Sequence, residues 1–129
     1  MIGRINEVVI DCPDPKALAA FYCDLLGLQV INVDSDDDWV SIAENDHSPG
    51  LAFQQVADYQ PPQWPGQEHP QQFHIDVMVD DMDVAHQQVL ALGAIHVAND
   101  GTGFRVFTDP AGHPFCLVRR PDWASPIHG

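Results

Sequence analysis

Three residues on predicted strands can ligate a metal or move a proton: Glu7, His74 and Cys116. Glu7 alternates with Ile5 and Val9, so its carboxylate interrupts an otherwise apolar strand face. A carboxylate in that position is costly unless it is paired, ligated or exposed to a wet cavity. Glu7 is therefore a candidate metal ligand or proton acceptor. The alternative is a glutamate on an edge strand that faces water.

The second residue is His74, which lies in a strand with two different faces. Its mixed face carries Gln72, His74, Asp76 and Met78, while the other face is entirely apolar. We expect the apolar face to lie under a helix and the mixed face, with His74, to point into a cavity. Histidine is a common metal ligand and proton shuttle. The alternative is a histidine that is only hydrogen-bonded or solvated.

The third residue is Cys116, on the last predicted strand. A thiolate is a good ligand for zinc and a poor one for magnesium or manganese. The alternative is an inert buried thiol, which is the commoner state of a lone cysteine in a strand.

Aromatic residues and one amide provide a candidate binding site for a small molecule. Aromatic walls with a few amides are typical of such pockets. The predicted substrate-binding residues are Trp39, Phe53, Gln54, Tyr59, Trp64 and Phe104. Tyr59 and Trp64 belong to a proline-rich connector that is long enough to span a cavity mouth. The alternative is that these two residues pack in a dimer interface, where such residues are also enriched.

The elements that must position these residues follow from apolar periodicity and from turn residues. Asp14 and Pro15 open a helix that Gly27 ends, and Asp81 opens a second helix that ends at Gly93. Strands are predicted over 1–12, 28–34, 39–43, 51–56, 72–79, 95–98, 104–108 and 115–118. The prolines of residues 57–70 exclude a helix or a ladder there. Asp109, Pro110 and Gly112 are typical of a turn between the last two strands.

The order of elements is repeated. Asp14 and Asp81 are 67 residues apart, and Gly27 and Gly93 are 66 apart, so the chain is two copies of βαβββ. This pattern predicts an α+β fold in which two repeats form curled mixed sheets around a cavity, with the helices outside. We expect a single domain over 1–129, with repeat one at about 4–57, a connector at 58–70, repeat two at about 71–120 and a tail at 121–129.

The charge of the chain excludes some partners. Five basic residues against 19 acidic ones give a net charge of −14, which leaves no basic patch for nucleic acid or for an anionic membrane surface. No apolar run approaches the roughly 20 residues of a membrane span. The three cysteines have no CxxC spacing, so neither a disulfide framework nor a zinc ribbon is predicted. These observations predict a reduced, cytoplasmic protein.

The motifs resemble those of a known superfamily over about residues 5–118. The residues that carry the likeness are the segment 8–15, followed by Phe21, Tyr22 and Leu25–Gly27, and the closing segment 109–117. With the βαβββ repeat, they are similar to the vicinal oxygen chelate superfamily, which includes glyoxalases, bleomycin-resistance proteins and extradiol dioxygenases. The chain is most similar to the glyoxalase-like domains of this superfamily.

The resemblance implies a metal site built from the first and last strands of each repeat. The first-strand position falls on Glu7 and the fifth-strand position on His74, again 67 residues apart. The eighth-strand position, usually a glutamate, falls on Cys116, and the fourth-strand position falls among Phe53, Gln54 and Gln55. The implied cofactor is a divalent metal (zinc, nickel, iron or manganese) held by Glu7 and His74 with Cys116 or Gln54. The alternative is a member without metal.

Two functions follow from this resemblance. The first is a small-molecule enzyme of lyase, isomerase or dioxygenase type, with Glu7 as its catalytic residue. The second is a non-catalytic protein of bleomycin-resistance type that sequesters a cationic aromatic antibiotic, which the acidic charge and three tryptophans favour. The resemblance also implies a homodimer that binds a small-molecule ligand.

Overall fold

The chain folds into two compact units, each with one βαβββ run. The computed structural model describes residues 1–99 and 103–128, and the units are Met1–Gln60 and Pro61–Gly129. Residues 100–102 of the predicted second repeat and Gly129 of the predicted tail lie outside the described residues. The predicted α+β fold with two βαβββ repeats is confirmed. The expectation of a single domain stays a prediction.

The bounds of the elements follow the predicted order. The first unit contains β1 (Glu7–Cys12), α1 (Pro15–Leu26), β2 (Gln29–Val33), β3 (Trp39–Ala43) and β4 (Gly50–Gln55). The second contains β5 (Ile75–Val79), α2 (Met82–Ala91), β6 (Ile95–Asn99), β7 (Phe104–Thr108) and β8 (Pro114–Arg119). None of the described helices is long and apolar enough to span a membrane.

Each unit contains one mixed sheet with the same topology. The strand orders are β1-β4-β3-β2 and β5-β8-β7-β6. In each sheet the first strand pairs in parallel with the last, and the other pairs are antiparallel. The repeat predicted from residue spacing is therefore a repeat of sheet topology as well.

Helix α1 begins and ends at the predicted residues. The side chain of Asp14 accepts a hydrogen bond from the Ala17 N–H at 3.2 Å, and Pro15 occupies the first turn. The chain leaves the helix at Gly27, whose φ of +68° lies in the left-handed region that glycine adopts without strain. The helix packs on the sheet through Tyr22, whose ring stacks on that of Phe53 with centroids 5.5 Å apart. The core of the first unit lies between α1 and this sheet face.

The second unit is built in the same way around α2. Asp81 caps the helix by accepting from the Val84 N–H at 3.1 Å. The core of this unit holds Phe107 and Phe115, which are fully buried and stacked with centroids 5.7 Å apart. His86 of α2 contacts Phe107, with ring centroids 5.0 Å apart. The face of this sheet that carries Phe107 and Phe115 is therefore the face covered by α2.

The structure corrects the starts of two predicted strands. The strand predicted to begin at Met1 begins at Glu7, because its partner β4 begins at Gly50, the residue registered with Glu7. The strand predicted to begin at Gln72 begins at Ile75. Its first registered partner is Phe115, and the preceding Pro114 has no N–H with which to continue the ladder. His74 therefore lies immediately before β5.

Candidate functional site

Side-chain alternation gives the second sheet a covered face and an open face. Phe107 and Phe115 are registered partners on the face that α2 covers. Cys116 is registered with Val106 on one side and with Asp76 on the other. Because side chains alternate along a strand, these three residues lie on the opposite, open face. Asp76 belongs to the mixed face that the sequence predicts for β5.

Three potential metal ligands come together on this open face. The ligand atoms of His74, Asp76 and Cys116 all lie within 4.8 Å of one another. His74 Nε2 is 3.2 Å from Asp76 Oδ1, and both side chains are partly exposed. Cys116 is only 7% exposed. The cluster thus has one buried sulfur and two donors that are accessible from solvent.

The chemistry of this donor set fits a divalent metal. Donor atoms of a tetrahedral zinc site are about 3.3–3.8 Å apart when zinc lies 2.0–2.3 Å from each of them, which is compatible with the spacing of the cluster. A thiolate, an imidazole and a carboxylate are all established zinc ligands, and the thiolate disfavours magnesium and manganese. Three protein ligands also leave a coordination position for substrate or water.

The cluster lies in the wall of an apolar cavity of about 260 Å³. This volume is slightly below the range of about 300–1,000 Å³ that drug-sized ligands occupy, so the cavity suits a small molecule. The aromatic rings of Trp64 and Phe104 form part of the wall. All of the lining residues belong to the second unit: Trp64, Gln71, His74, Asp76, Phe104, Val106, Pro114, Cys116 and Val118.

A larger cavity of about 570 Å³ in the same unit is lined mainly by charged residues. Two of its arginines pair with aspartates that also line it. Arg120 Nε is 2.6 Å from Asp80 Oδ1, and Arg105 Nη2 is 2.7 Å from Asp83 Oδ1. The ligand cluster is absent from this lining, so we take the smaller apolar cavity as the candidate site.

In the first unit, the open face of the sheet carries Glu7. Glu7 is half-buried at the start of β1, and its registered partner is Gly50. Alternation along β4 places Gln54 on the same face as Gly50, and Trp39 is registered with Gln54. The Trp39 Nε1–H donates to Ser41 Oγ at 3.0 Å. The structure therefore places Glu7, Trp39 and Gln54 on one face of one sheet.

The remaining predicted site residues lie elsewhere. Phe53 is completely buried and stacks on Tyr22 of α1, so its ring packs in the core of the first unit. Tyr59 is half-buried in the connector, at the end of the first unit. Trp64 and Phe104 line the cavity that holds His74 and Cys116. Glu7 belongs to the other unit, and its convergence with His74 and Cys116 stays a prediction.

The register of each sheet relates the partners of β4 and β8 to the candidate ligands. Cys116 is the β8 partner of Asp76, which lies two residues after His74. The corresponding residue in the first unit is Ala52, the β4 partner of Val9, two residues after Glu7. Ala52 carries no ligand atom, and the expectation that the fourth-strand position falls among Phe53, Gln54 and Gln55 stays a prediction.

The sequence does not predict two polar residues of the candidate site. Asp76 was placed on the mixed face but not named as a ligand, although its position two residues after His74 puts both side chains on one side of the chain. Gln71 directly follows the connector and lines the cavity. No spacing signal connects Gln71 to the cluster, because its place depends on the path of the connector.

Comparison with known proteins identifies a family and a fold. The family model described as "Glyoxalase-like domain" matches residues 7–118. None of the curated proteins compared matches the chain.

Solved structures with the same fold share little sequence with this chain. The "Oxidase ChaP-H2" is 21% identical with a TM-score of 0.63, and the match covers 94% of this chain and 96% of that one. The fosfomycin resistance protein FosX from Mesorhizobium loti is 16% identical with a TM-score of 0.68, covering 95% and 96%. The trypanothione-dependent glyoxalase I of Leishmania major is 18% identical with a TM-score of 0.67, covering 91% and 86%. At these identities the comparison shows that the fold is shared.

Proposed function

The chain belongs to the glyoxalase-like domain family, and on this premise we propose that it is a metal-dependent enzyme that acts on a small molecule. The observation that carries the proposal is the cluster of His74, Asp76 and Cys116 in the wall of an apolar cavity. A buried thiol beside an imidazole and a carboxylate selects zinc, or another metal that tolerates sulfur, over magnesium and manganese. The reaction is of lyase, isomerase or dioxygenase type.

His74, Asp76 and Cys116 would hold the metal, and Glu7 is either a further ligand or the proton acceptor, the two roles that the sequence predicts for it. When bound, a divalent metal supplies Lewis acidity toward a substrate that binds through two neighbouring oxygens. The Asp76 carboxylate, 3.2 Å from His74 Nε2, is close enough for both groups to bind the same metal. Trp64 and Phe104 bind the apolar part of the substrate and exclude water. Where Glu7 does not bind the metal, it is the proposed proton acceptor.

Metal analysis tests this proposal directly. We expect about one equivalent of zinc in protein purified without chelator, or after zinc addition and dialysis. Cys116→Ser should lose most of that zinc, because a hydroxyl replaces the thiolate. Cys23→Ser is the matched control, since Cys23 lies outside the cluster. A metal content near zero in the wild type that stays near zero after zinc or nickel addition would overturn the proposal.

A second function has support from the same cavity. Trp64 and Phe104 present aromatic surfaces close to the Asp76 carboxylate, an arrangement that suits a planar cation. The chain would then sequester a cationic aromatic antibiotic without turning it over. Titration of tryptophan fluorescence with such compounds tests this function. No quenching at micromolar concentration would exclude it.

We also propose that the protein is a cytoplasmic homodimer that binds a small-molecule ligand. The described cysteines are not joined by disulfides, as expected of a protein in a reducing compartment. Light scattering of the purified chain, which has a mass of 14.3 kDa, should give about twice that mass. A monomer mass at micromolar concentration would contradict the dimer.

A further inference from the structure

A buried oxygen without a hydrogen-bond donor lies on a residue that lines the candidate cavity. Gln71 Oε1 has no contact with solvent and no partner, and no other buried side-chain nitrogen or oxygen of residues 1–99 and 103–128 is in this state. Buried polar atoms are nearly always paired, so an exception calls for an explanation. Gln71 lines the same cavity as His74 and Cys116.

The connector holds Gln71 in place through its own backbone. Gln63 and Pro70 form an isolated β-bridge, the Gln63 N–H donates to the His69 carbonyl, and the Gln71 N–H donates to the Gln63 carbonyl at 3.3 Å. Trp64, which follows Gln63, lines the cavity as well. These backbone hydrogen bonds therefore bring the Gln71 amide and the Trp64 indole to the wall of the same cavity.

The rest of the wall defines the ligand that fits. Trp64 and Phe104 are each 39% exposed, and Val106, Pro114 and Val118 add apolar surface. Away from the donor cluster, Gln71 is the lining residue whose side chain carries a hydrogen-bond acceptor. A ligand that matches it is small and mainly apolar, and it carries a hydroxyl or N–H group.

We propose that Gln71 is a specificity-determining residue that accepts a hydrogen bond from a hydroxyl or N–H of a small, mainly apolar ligand. This inference rests on the proposed function only in placing the ligand in the same cavity. The terminal torsion of glutamine is broad, so rotation of the amide can turn Oε1 toward a ligand in the cavity. A site built to hydrogen-bond a ligand group rejects the analogue that lacks it, because the protein atom is then left unpaired.

A pair of probes of the same shape tests the inference. Phenol and toluene differ in a hydroxyl against a methyl group, and each is titrated into ¹⁵N-labelled protein while backbone and side-chain amide shifts are followed. The titrations use chelator-treated protein, so that phenol cannot bind through a metal. We expect phenol to bind at least about tenfold more tightly than toluene, which corresponds to about 1.4 kcal/mol. The side-chain amide of Gln71 should shift with phenol.

Variants assign this preference to Gln71. In Gln71→Met, and in Gln71→Leu as a second substitution, the preference for phenol should be lost and toluene should bind at least as tightly, because the phenol hydroxyl is then buried without a partner. Gln67→Met should keep the wild-type preference, because Gln67 is an exposed glutamine of the connector. Equal binding of both probes by the wild type, or a preference that persists in both Gln71 variants, would overturn the inference.

Zinc content separates this inference from the proposed function. Gln71→Met should retain the zinc of the wild type, because Gln71 lies outside the ligand cluster. Zinc binding without a preference for phenol would refute the role of Gln71 and leave the metal-dependent function standing. A preference for phenol in a protein that binds no zinc would support the role of Gln71 and refute the metal-dependent function.

Discussion

Replacing Gln71 by methionine should make the protein more stable, which is unusual for a substitution in a cavity wall. The side-chain oxygen is buried without a partner, and such an atom costs the folded state about 1–3 kcal/mol of desolvation. Methionine has a similar length and no strong acceptor, so it removes this cost. Swaps between side chains of similar volume cost less than about 1.5 kcal/mol. The net gain in the free energy of unfolding should be about 1–2 kcal/mol.

Urea unfolding, followed by far-ultraviolet circular dichroism, measures this gain. For a chain of 129 residues, a gain of about 1–2 kcal/mol raises Tm by roughly 3–10 °C. The exposed Gln67→Met control should change the free energy of unfolding by less than about 0.5 kcal/mol. A loss of stability in Gln71→Met would show that Oε1 has a partner in the folded protein. Gln71 would then not be an unpaired acceptor for a ligand.

Two further predictions concern pH and the C-terminal tail. Burial lowers the pKa of His86, and the neighbouring His96 adds to this effect, so the unfolded chain binds the proton more readily. The free energy of unfolding should therefore be highest above the unfolded pKa of about 6.5 and fall as the pH drops through it toward the folded value. His86→Gln should flatten this fall in urea midpoints, and an unchanged slope would contradict the reasoning. The Asp80 carboxylate accepts a hydrogen bond from the backbone N–H of His128, which is the largest cause that lowers its pKa. Asp80→Asn weakens this contact and should therefore release residues 121–128. Faster hydrogen exchange there is the expected result, and unchanged exchange would contradict it.

The sequence predicts the elements of this fold well because their signals are local. Asp14 and Asp81 cap the two helices, and Gly27 ends the first with a positive φ. Each of these residues acts within one turn of the chain, so its spacing can be read without knowledge of the partner strands. The 67-residue offset of the two aspartates then predicts the repeat.

Strand starts and the composition of the site depend on contacts that are distant in sequence. β5 begins at Ile75 because of the register of β8, where Pro114 interrupts the ladder. Asp76 is a potential ligand because the same register places it beside Cys116, 40 residues later. Phe53 has the composition of a pocket residue, yet its position along β4 turns it toward α1. Alternation gives two faces, and the helix determines which one is covered.

The two repeats differ in the donors that they offer, and this difference leads to a last prediction. In the second unit, Asp76 is registered with Cys116, whereas the corresponding pair in the first unit is Val9 and Ala52, which cannot ligate a metal. Glu7 is thus the carboxylate that the first unit supplies at the position equivalent to His74. If it is the fourth ligand, Glu7→Gln should weaken zinc binding.

A competition assay against a chelator of known affinity measures this effect. We expect Glu7→Gln to raise the Kd for zinc at least about tenfold, since replacing residues that only support a metal ligand already lowers metal affinity about 10–100-fold. Glu44→Gln is the matched control, because Glu44 is exposed and its backbone carbonyl accepts from Gln29. Equal zinc affinities in the two variants would show that the second unit binds the metal without Glu7. In that case Glu7 would keep only its proposed role as a proton acceptor, and a loss of turnover at full zinc content would be required to support it.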